Sequence, residues 1–266
     1  MVMRILSLGA GVQSSTLLLM SSYGEIDKLD AAVFADTKWE SQATYRWLER
    51  LESESTVPVH RVSQGDLRAD ALVSQVRGTK ATGSRWASMP LFTLGPNGEK
   101  GMIRRQCTYE YKIRPLERRF RELAGYKPRQ RIPAGSIEVW KGISVDELRR
   151  ASVSDKKWIS FRYPLIEMKM SRQNCLDWFR KHGLREPPRS ACIGCPYRHN
   201  SEWRRLKLES PSEWADAVAF DKAIRKCGGM RGDVFIHADR IPLDQVDLRN
   251  AADHGQLSLF DKAGGR

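Results

Sequence analysis

The sequence predicts an α/β protein: a parallel sheet with helices on both faces, and a smaller, mainly helical C-terminal region. Three observations lead there. Short apolar runs alternate with stretches of helical spacing through the first half. The first of these runs passes through a loop of small residues directly into a helix. The chain has 266 residues, 41% of them hydrophobic, enough for one large core or two modest ones.

Taken in order, residues 3–8 (MRILSL) form a buried strand and residues 17–22 begin a helix that ends near Gly24. Residues 31–35 (AAVFA) are a second strand, closed by Asp36 and Thr37, and residues 45–51 have helical spacing. Residues 57–62 are extended again, and residues 137–143 (IEVWKGI) are a further strand. Between them, residues 77–101 carry Gly, Ser, Pro and Asn and predict a mobile loop with a turn at Pro96, Asn97 and Gly98. Residues 109–124 predict a strongly basic helix ending at Gly125. Ser171 opens a helix that runs through Lys181 and stops at Gly183, and residues 212–226 form another, ended by Gly228 and Gly229. The expected organisation is a nucleotide-binding region over 1–150, a region over 151–248 carrying the Cys192/Cys195 pair, and a flexible tail over 249–266.

Composition narrows the partners. The formal net charge is +13, from 45 Lys and Arg against 32 Asp and Glu, which favours a polyanion such as nucleic acid. No apolar run is long enough to span a membrane, and the start lacks a secretory pattern. A cytoplasmic protein with no membrane partner is expected, and its five cysteines are then thiols or metal ligands.

The loop after the first strand carries the chemistry. Ser7, Gly9, Gly11, Gln13, Ser14 and Ser15 surround a helix start, where glycines admit phosphate oxygens, amides point outward and hydroxyls add donors. A dinucleotide fingerprint fails because its third glycine position is Ser14, and no Gly-Lys-Ser/Thr of a Walker loop follows. Residues 7–16 (SLGAGVQSST) resemble the pyrophosphate loop of the PP-loop ATP pyrophosphatase superfamily, most closely its phosphoadenylyl sulfate reductase-like branch. Three further patches resemble that branch: residues 34–37 (FADT), residues 141–150 (KGISVDELRR), and Tyr163-Pro164-Leu165 followed by residues 192–196 (CIGCP). The resemblance spans roughly residues 3–200 in discontinuous patches. It implies a Rossmann-like fold, ATP with Mg²⁺ in the loop, and Asp36 and Gly142 along the adenosine. Asp146, Glu147, Arg149 and Arg150 would form a catalytic rim with Asp36, although helix capping explains Asp146 and Glu147 equally well. The chain departs from the family at Gln13, where an acid usually stands, in the Gly9/Gly11 spacing, and in lacking the C-terminal Glu-Cys-Gly-Leu-His of true reductases.

Cys192 and Cys195 form a C-x-x-C pair with Gly194 between them and Pro196 after, a spacing that brings two thiolates to one metal or cluster. Cys107 lies upstream beside Arg104 and Arg105, which favour its thiolate. Similarity to the iron–sulfur thiolation enzymes of the superfamily implies a 4Fe–4S cluster on Cys107, Cys192 and Cys195. Structural zinc with His199 as a fourth ligand, and an unligated dithiol, remain alternatives. Cys175 shares an apolar helical stripe with Leu176, Trp178 and Phe179 and belongs to the core, while Cys227 is a weaker candidate ligand.

Arg114, Arg118 and Arg121 share one helix face, with Arg119 beside it, and predict phosphate-backbone contacts. Trp86 is the candidate for stacking on an unpaired base. Gln256, Leu257, Ser258, Leu259 and Phe260 match the short peptide by which bacterial DNA-processing proteins engage the sliding clamp. The expected activity is ATP-dependent, adenylating and pyrophosphate-releasing sulfur transfer to DNA, tRNA or a nucleotide, fed by a sulfur donor. An adenylyl sulfate reductase and a non-catalytic nucleic-acid-binding accessory protein are the alternatives.

Overall fold

The structure, a computed structural model, describes residues 2–77, 89–226 and 232–249. The chain folds as two compact units, each made of two stretches. Unit 1 comprises residues 1–66 and 108–191, and unit 2 comprises residues 67–107 and 192–266. The expected boundary at residue 150 is therefore replaced by crossings after Asp66, Cys107 and Ala191.

Unit 1 is the expected parallel sheet. Its strands are β1 (Met3–Leu8), β2 (Ala31–Asp36), β3 (Val59–Ser63), β6 (Ile137–Lys141) and β7 (Ile159–Arg162), in the order β3-β2-β1-β6-β7 and all parallel. The register sets Ser7 opposite Val33 on one side and Lys141 on the other. β2 is buried along its whole length, as a central strand covered on both faces must be. Alternation sorts the side chains. Leu6, Leu8, Ala32, Phe34 and Trp140 join one core with α1 (Val12–Ser22) and α2 (Gln42–Glu54). Ile5, Val33, Ala35 and Val139 join another with Leu116 and Phe120 of α4 (Arg114–Leu123). Helices thus cover both faces.

The boundary moved because residues beyond 150 are part of this sheet unit. β7 was not anticipated and pairs with β6. After the short α5 (Pro164–Glu167), α6 (Arg172–Lys181) buries Cys175, Trp178 and Phe179 in the α1 core. Cys175 is therefore a core residue as expected, and burial pushes its thiol up to about 11. Local signals set α6: Ser171 and Asn174 make a reciprocal capping box, and Gly183 takes a left-handed φ of +63° just past its end.

In unit 2, β4 (Phe92–Leu94) pairs antiparallel with both β5 (Lys100–Met102) and β8 (Asp233–Phe235). The expected loop over 77–101 is thus partly a hairpin. The amide of Gly95 donates to Glu99 O, and Gly98 has a φ of +85°, so the turn falls where Pro96, Asn97 and Gly98 placed it. α3 (Leu67–Arg77), α7 (Asn200–Glu209) and α8 (Pro211–Ala223) complete the unit. Arg68 of α3 bridges Asp216 of α8 at 2.8 Å and lies over the Phe220 ring. The buried Asp221 carboxylate accepts the amides of Ile236 (2.9 Å) and Leu243 (3.1 Å) and the Arg225 guanidinium. One side chain thereby ties α8 to β8 and to the turn that follows. No helix among the described residues is long and apolar enough to cross a membrane.

Candidate functional site

In unit 1, sequence-adjacent strands wind away from each other on either side of β1 and β6, so the carboxyl ends of these two strands flank a switch point. Open α/β sheets bind ligands there. β1 delivers the chain into the Gly9–Ala10–Gly11 turn, and Ala10 takes a φ of +53°, a conformation that costs an alanine roughly 1–2 kcal/mol. Gly11 caps α1 in extended geometry, and the Ser15 amide is the first to return to it, at 3.0 Å. The amides of Val12, Gln13 and Ser14 lie ahead of that bond and have no partner within the helix. The Ser14 hydroxyl accepts from the Gly9 amide at 3.1 Å and bends the turn over the helix start. Gly142, just past β6, has no room for a side chain: a Cβ there would lie 2.7 Å from Ser14 N and 2.8 Å from its Cα.

Gln13 connects this turn to two other elements. Its amide nitrogen donates to Glu147 Oε2 at 3.0 Å and to Ser144 Oγ at 3.4 Å, and its oxygen accepts from Arg172 Nη1 at 3.3 Å. Glu147 also receives Arg150 at 2.5 Å. An open recess of about 520 Å³ beside them is lined by Val145, Asp146, Glu147, Leu148, Arg149 and Arg150. Arg172 and Ser144 were not foreseen, because only the fold brings α6 and the 3₁₀ turn Val145–Arg150 to α1.

Several expected residues take other positions. Ser15 is fully buried, and its hydroxyl accepts from the Trp47 indole at 2.9 Å, so its side chain belongs to the core and not to the phosphate loop. No local signal separates it from Ser14, because residues 14–21 of α1 are all buried. Asp146 accepts the Arg172 amide with both oxygens at 3.2 Å, which adds a carboxylate from the 3₁₀ turn to the Ser171 cap at the start of α6. The Ser144 hydroxyl lowers the Asp146 carboxyl most; desolvation opposes, and the Arg172 amide and charge add to the lowering, so it stays below the usual range. Asp36 is buried and receives the Lys38 amide (2.7 Å), the Tyr45 hydroxyl (2.8 Å) and the Lys38 ammonium (3.0 Å). Burial pushes its carboxyl up, but these donors outweigh burial and leave it below its ordinary value. Asp36 therefore shapes the turn after β2, where Lys38 has a φ of +60°. Next to it, the buried Glu40 accepts Lys112 at 3.1 Å and the Thr37 hydroxyl at 3.1 Å, a pair that no local pattern announced.

The basic segment begins as a π-helical turn (Thr108–Ile113), and α4 follows. Leu116 and Phe120 face the core, while Arg114 and Arg118 are exposed. Arg121 folds back onto the carbonyls of Lys127 and Gln130, and Arg119 is held by Glu122 (3.1 Å) and His60 (3.2 Å). The expected three-arginine face is thereby reduced to Arg114 and Arg118.

Unit 2 contains all three candidate metal cysteines. The 192–195 loop is closed by a Cys195 amide bond to Cys192 O at 3.2 Å. Arg198 reinforces it by donating to Ile193 O and Cys192 O, each at 3.0 Å, with its guanidinium over the buried Trp203 ring. Arg105 lies 5.2 Å from the Tyr197 ring centroid. Cys107, Cys192 and Cys195 are half-buried thiols outside any disulfide. Among the described residues, no three His, Cys, Asp or Glu side chains are arranged to hold a metal ion. Trp86, Cys227 and Gln256, Leu257, Ser258, Leu259 and Phe260 lie outside the described residues.

No protein-family model matches the sequence, and no curated protein matches it. Among solved structures, the chain is similar to the phosphoadenylyl-sulfate (PAPS) reductase of Candida auris in its phosphate complex. The two share 12% sequence identity over 69% of this chain and 74% of that one, with a TM-score of 0.43.

Proposed function

We propose that the chain is a PP-loop-type, ATP-binding enzyme that adenylates an acceptor, releases pyrophosphate and supports sulfur transfer to a nucleic acid or nucleotide. The observation that carries this reading is the turn at the end of β1. Ala10 is held in a left-handed conformation, α1 opens with amides outside its own ladder, and Gly142 yields its side-chain space to Ser14. Such an arrangement suits the phosphates of a nucleotide at the switch point.

In the proposed reaction, an acceptor oxygen attacks the α-phosphorus, the bond to the β-phosphate breaks, and pyrophosphate leaves. A sulfur nucleophile from an external donor then displaces AMP. The amides of the turn fix the phosphates for in-line attack, and Arg149, Arg150 and Arg172 offset the charge that develops on the leaving group. Glu147 orients Arg150 and Gln13. Mg²⁺ accompanies the nucleotide in this reading, with no ligand assigned to it on the protein.

Titration calorimetry with ATP and a non-hydrolysable analogue, joined to a pyrophosphate-release assay on DNA and tRNA, tests the reading. Binding of both nucleotides is expected, with pyrophosphate release stimulated by the acceptor. Absence of binding points to the accessory protein, and thiol-dependent sulfite release from an adenylyl sulfate points to the reductase.

An iron–sulfur cluster on Cys107, Cys192 and Cys195 belongs to the same proposal, with zinc as the alternative occupant. The donors are of the right kind and lie in one unit, but they do not converge here, so no step is derived through a metal. Anaerobic preparation is expected to yield a brown protein containing iron and sulfide, with the colour lost in Cys192→Ala. A colourless protein with stoichiometric zinc would assign zinc instead.

A further inference from the structure

Two consecutive turns shape the stretch of unit 2 that carries the cysteine pair. The Cys195 amide closes the first on Cys192 O at 3.2 Å, and the Arg198 amide closes the second on Cys195 O, also at 3.2 Å. Pro196, at the second position of the second turn, presets the φ that such a turn needs and leaves Tyr197 at its corner. Both neighbours of Tyr197 are anchored: Pro196 is buried, and the Arg198 guanidinium holds the carbonyls of Cys192 and Ile193. Tyr197 itself is 45% exposed, and among the described residues its hydroxyl makes no hydrogen bond. A firmly held loop therefore presents an aromatic ring to solvent. The Arg105 guanidinium, from the stretch that leads to Cys107, lies over this ring, 5.2 Å from its centroid. Arg104 and Arg105 are exposed, and among the described residues neither pairs with a carboxylate. By contrast, Arg68, Arg225 and Arg249 of the same unit each pair with an aspartate, and Arg240 donates to the carbonyls of Thr93, Ala238 and Gly101.

The ring and its guanidinium stand two residues from Cys195 on one stretch and two from Cys107 on the other. Two guanidiniums by themselves would suit any anion. Joined to an exposed ring they suit phosphates alternating with planar bases, the pattern of an unpaired nucleic-acid strand. The net charge of +13 favours the same polyanion. An acidic peptide would answer the guanidiniums but give the ring no planar partner. We infer that Tyr197, Arg104 and Arg105 form a platform for single-stranded nucleic acid, with an unpaired base stacked on the ring and backbone phosphates on the arginines. This rests on the nucleic-acid acceptor of the proposed function and narrows it to a strand with a base outside a duplex.

The test titrates the full chain with a single-stranded oligonucleotide, the duplex of the same sequence, a polyglutamate peptide and ATP. Tyr197→Ala, Tyr197→Phe and the double variant Arg104→Ala with Arg105→Ala are measured beside it. Tyr197→Ala is expected to lose roughly 5- to 150-fold in single-strand affinity, the range for one stacked base, with duplex and ATP binding unchanged. Tyr197→Phe keeps the ring and is expected to stay within about twofold of the unmodified protein. The double variant is expected to bind the strand more weakly and with a salt slope lower by about 1. Equal single-strand affinity in Tyr197→Ala overturns the platform, and an equal loss on the duplex overturns it in favour of a backbone contact. A loss in Tyr197→Phe as large as in Tyr197→Ala overturns stacking in favour of a hydroxyl contact. Binding of the peptide but not of the strand overturns it in favour of an acidic protein partner. ATP binding without strand binding overturns the platform and the nucleic-acid acceptor, and leaves the nucleotide site standing. Tyr197-dependent strand binding without ATP binding upholds the platform, and the enzymatic reading falls. A second measurement does not depend on any variant folding: an oligonucleotide carrying iodouracil is photocrosslinked to the unmodified protein and the adduct mapped by mass spectrometry. An adduct at Tyr197 is expected, and adducts confined to other residues overturn the proposal.

Discussion

Gly142→Ala is expected to destabilise unit 1 by ~1–3 kcal/mol, the usual cost of forcing a methyl into a filled space, and to abolish ATP binding. The new Cβ would stand 2.7 Å from Ser14 N and 2.8 Å from Ser14 Cα. Both are backbone atoms, so no side chain can swing away, and either β6 or the first turn of α1 must move. Movement of that turn misdirects the amides of Val12, Gln13 and Ser14 together. Gly9→Ala is the contrast, because its Cβ would meet only Ser14 Oγ at 3.7 Å, an ordinary contact. Denaturant unfolding of both variants beside calorimetry with ATP checks the prediction. Gly142→Ala with native stability and native affinity would show that the close approach has no role in the site.

Asp221→Ala is expected to cost unit 2 about 3–5 kcal/mol, the range for removing one partner of a buried ion pair. The carboxylate is fully buried and serves Arg225 together with the amides of Ile236 and Leu243. Truncation leaves the buried amides of Ile236 and Leu243 without their acceptor and strips the carboxylate from Arg225, which keeps its bond to Val234 O at 2.9 Å. Asp221→Asn keeps one acceptor oxygen and is expected to recover part of the loss. Chemical denaturation of the full chain measures both, and an effect below about 1 kcal/mol for the alanine variant would refute the assignment of Asp221 as the hub of this unit.

What could be read from sequence follows the range of the forces involved. β1, β2 and α6 were legible because their determinants are local: short, mainly apolar runs in the strands, and a serine and a glycine bracketing the helix. The three-residue strands β4, β5 and β8 were not, since three residues are too few to display a period of two and their partners come from remote parts of the chain. The π-helical turn before α4 was hidden for another reason. Its residues have ordinary helical spacing, and the extra residue per turn shows only in the hydrogen-bond ladder. In the candidate site, the Gly9–Gly11 turn and Gly142 were visible as residue types, but the contact that explains Gly142 is made by an element distant in sequence. Gln13 was noted as a departure from an acidic pattern, and its bonds to Glu147 and Arg172 became evident only once α6 lay against α1.

The interleaving of the two units also sets a timetable for synthesis. β4 emerges early, but its partner β8 comes from residues 233–235, after all of unit 1 has been made. On the ribosome, one edge of the young β4/β5 hairpin must therefore wait with its backbone groups open, a state that invites pairing with other chains. Truncation before β8 would make that waiting permanent, and such a product is expected to aggregate even though every strand of the parallel sheet is already present.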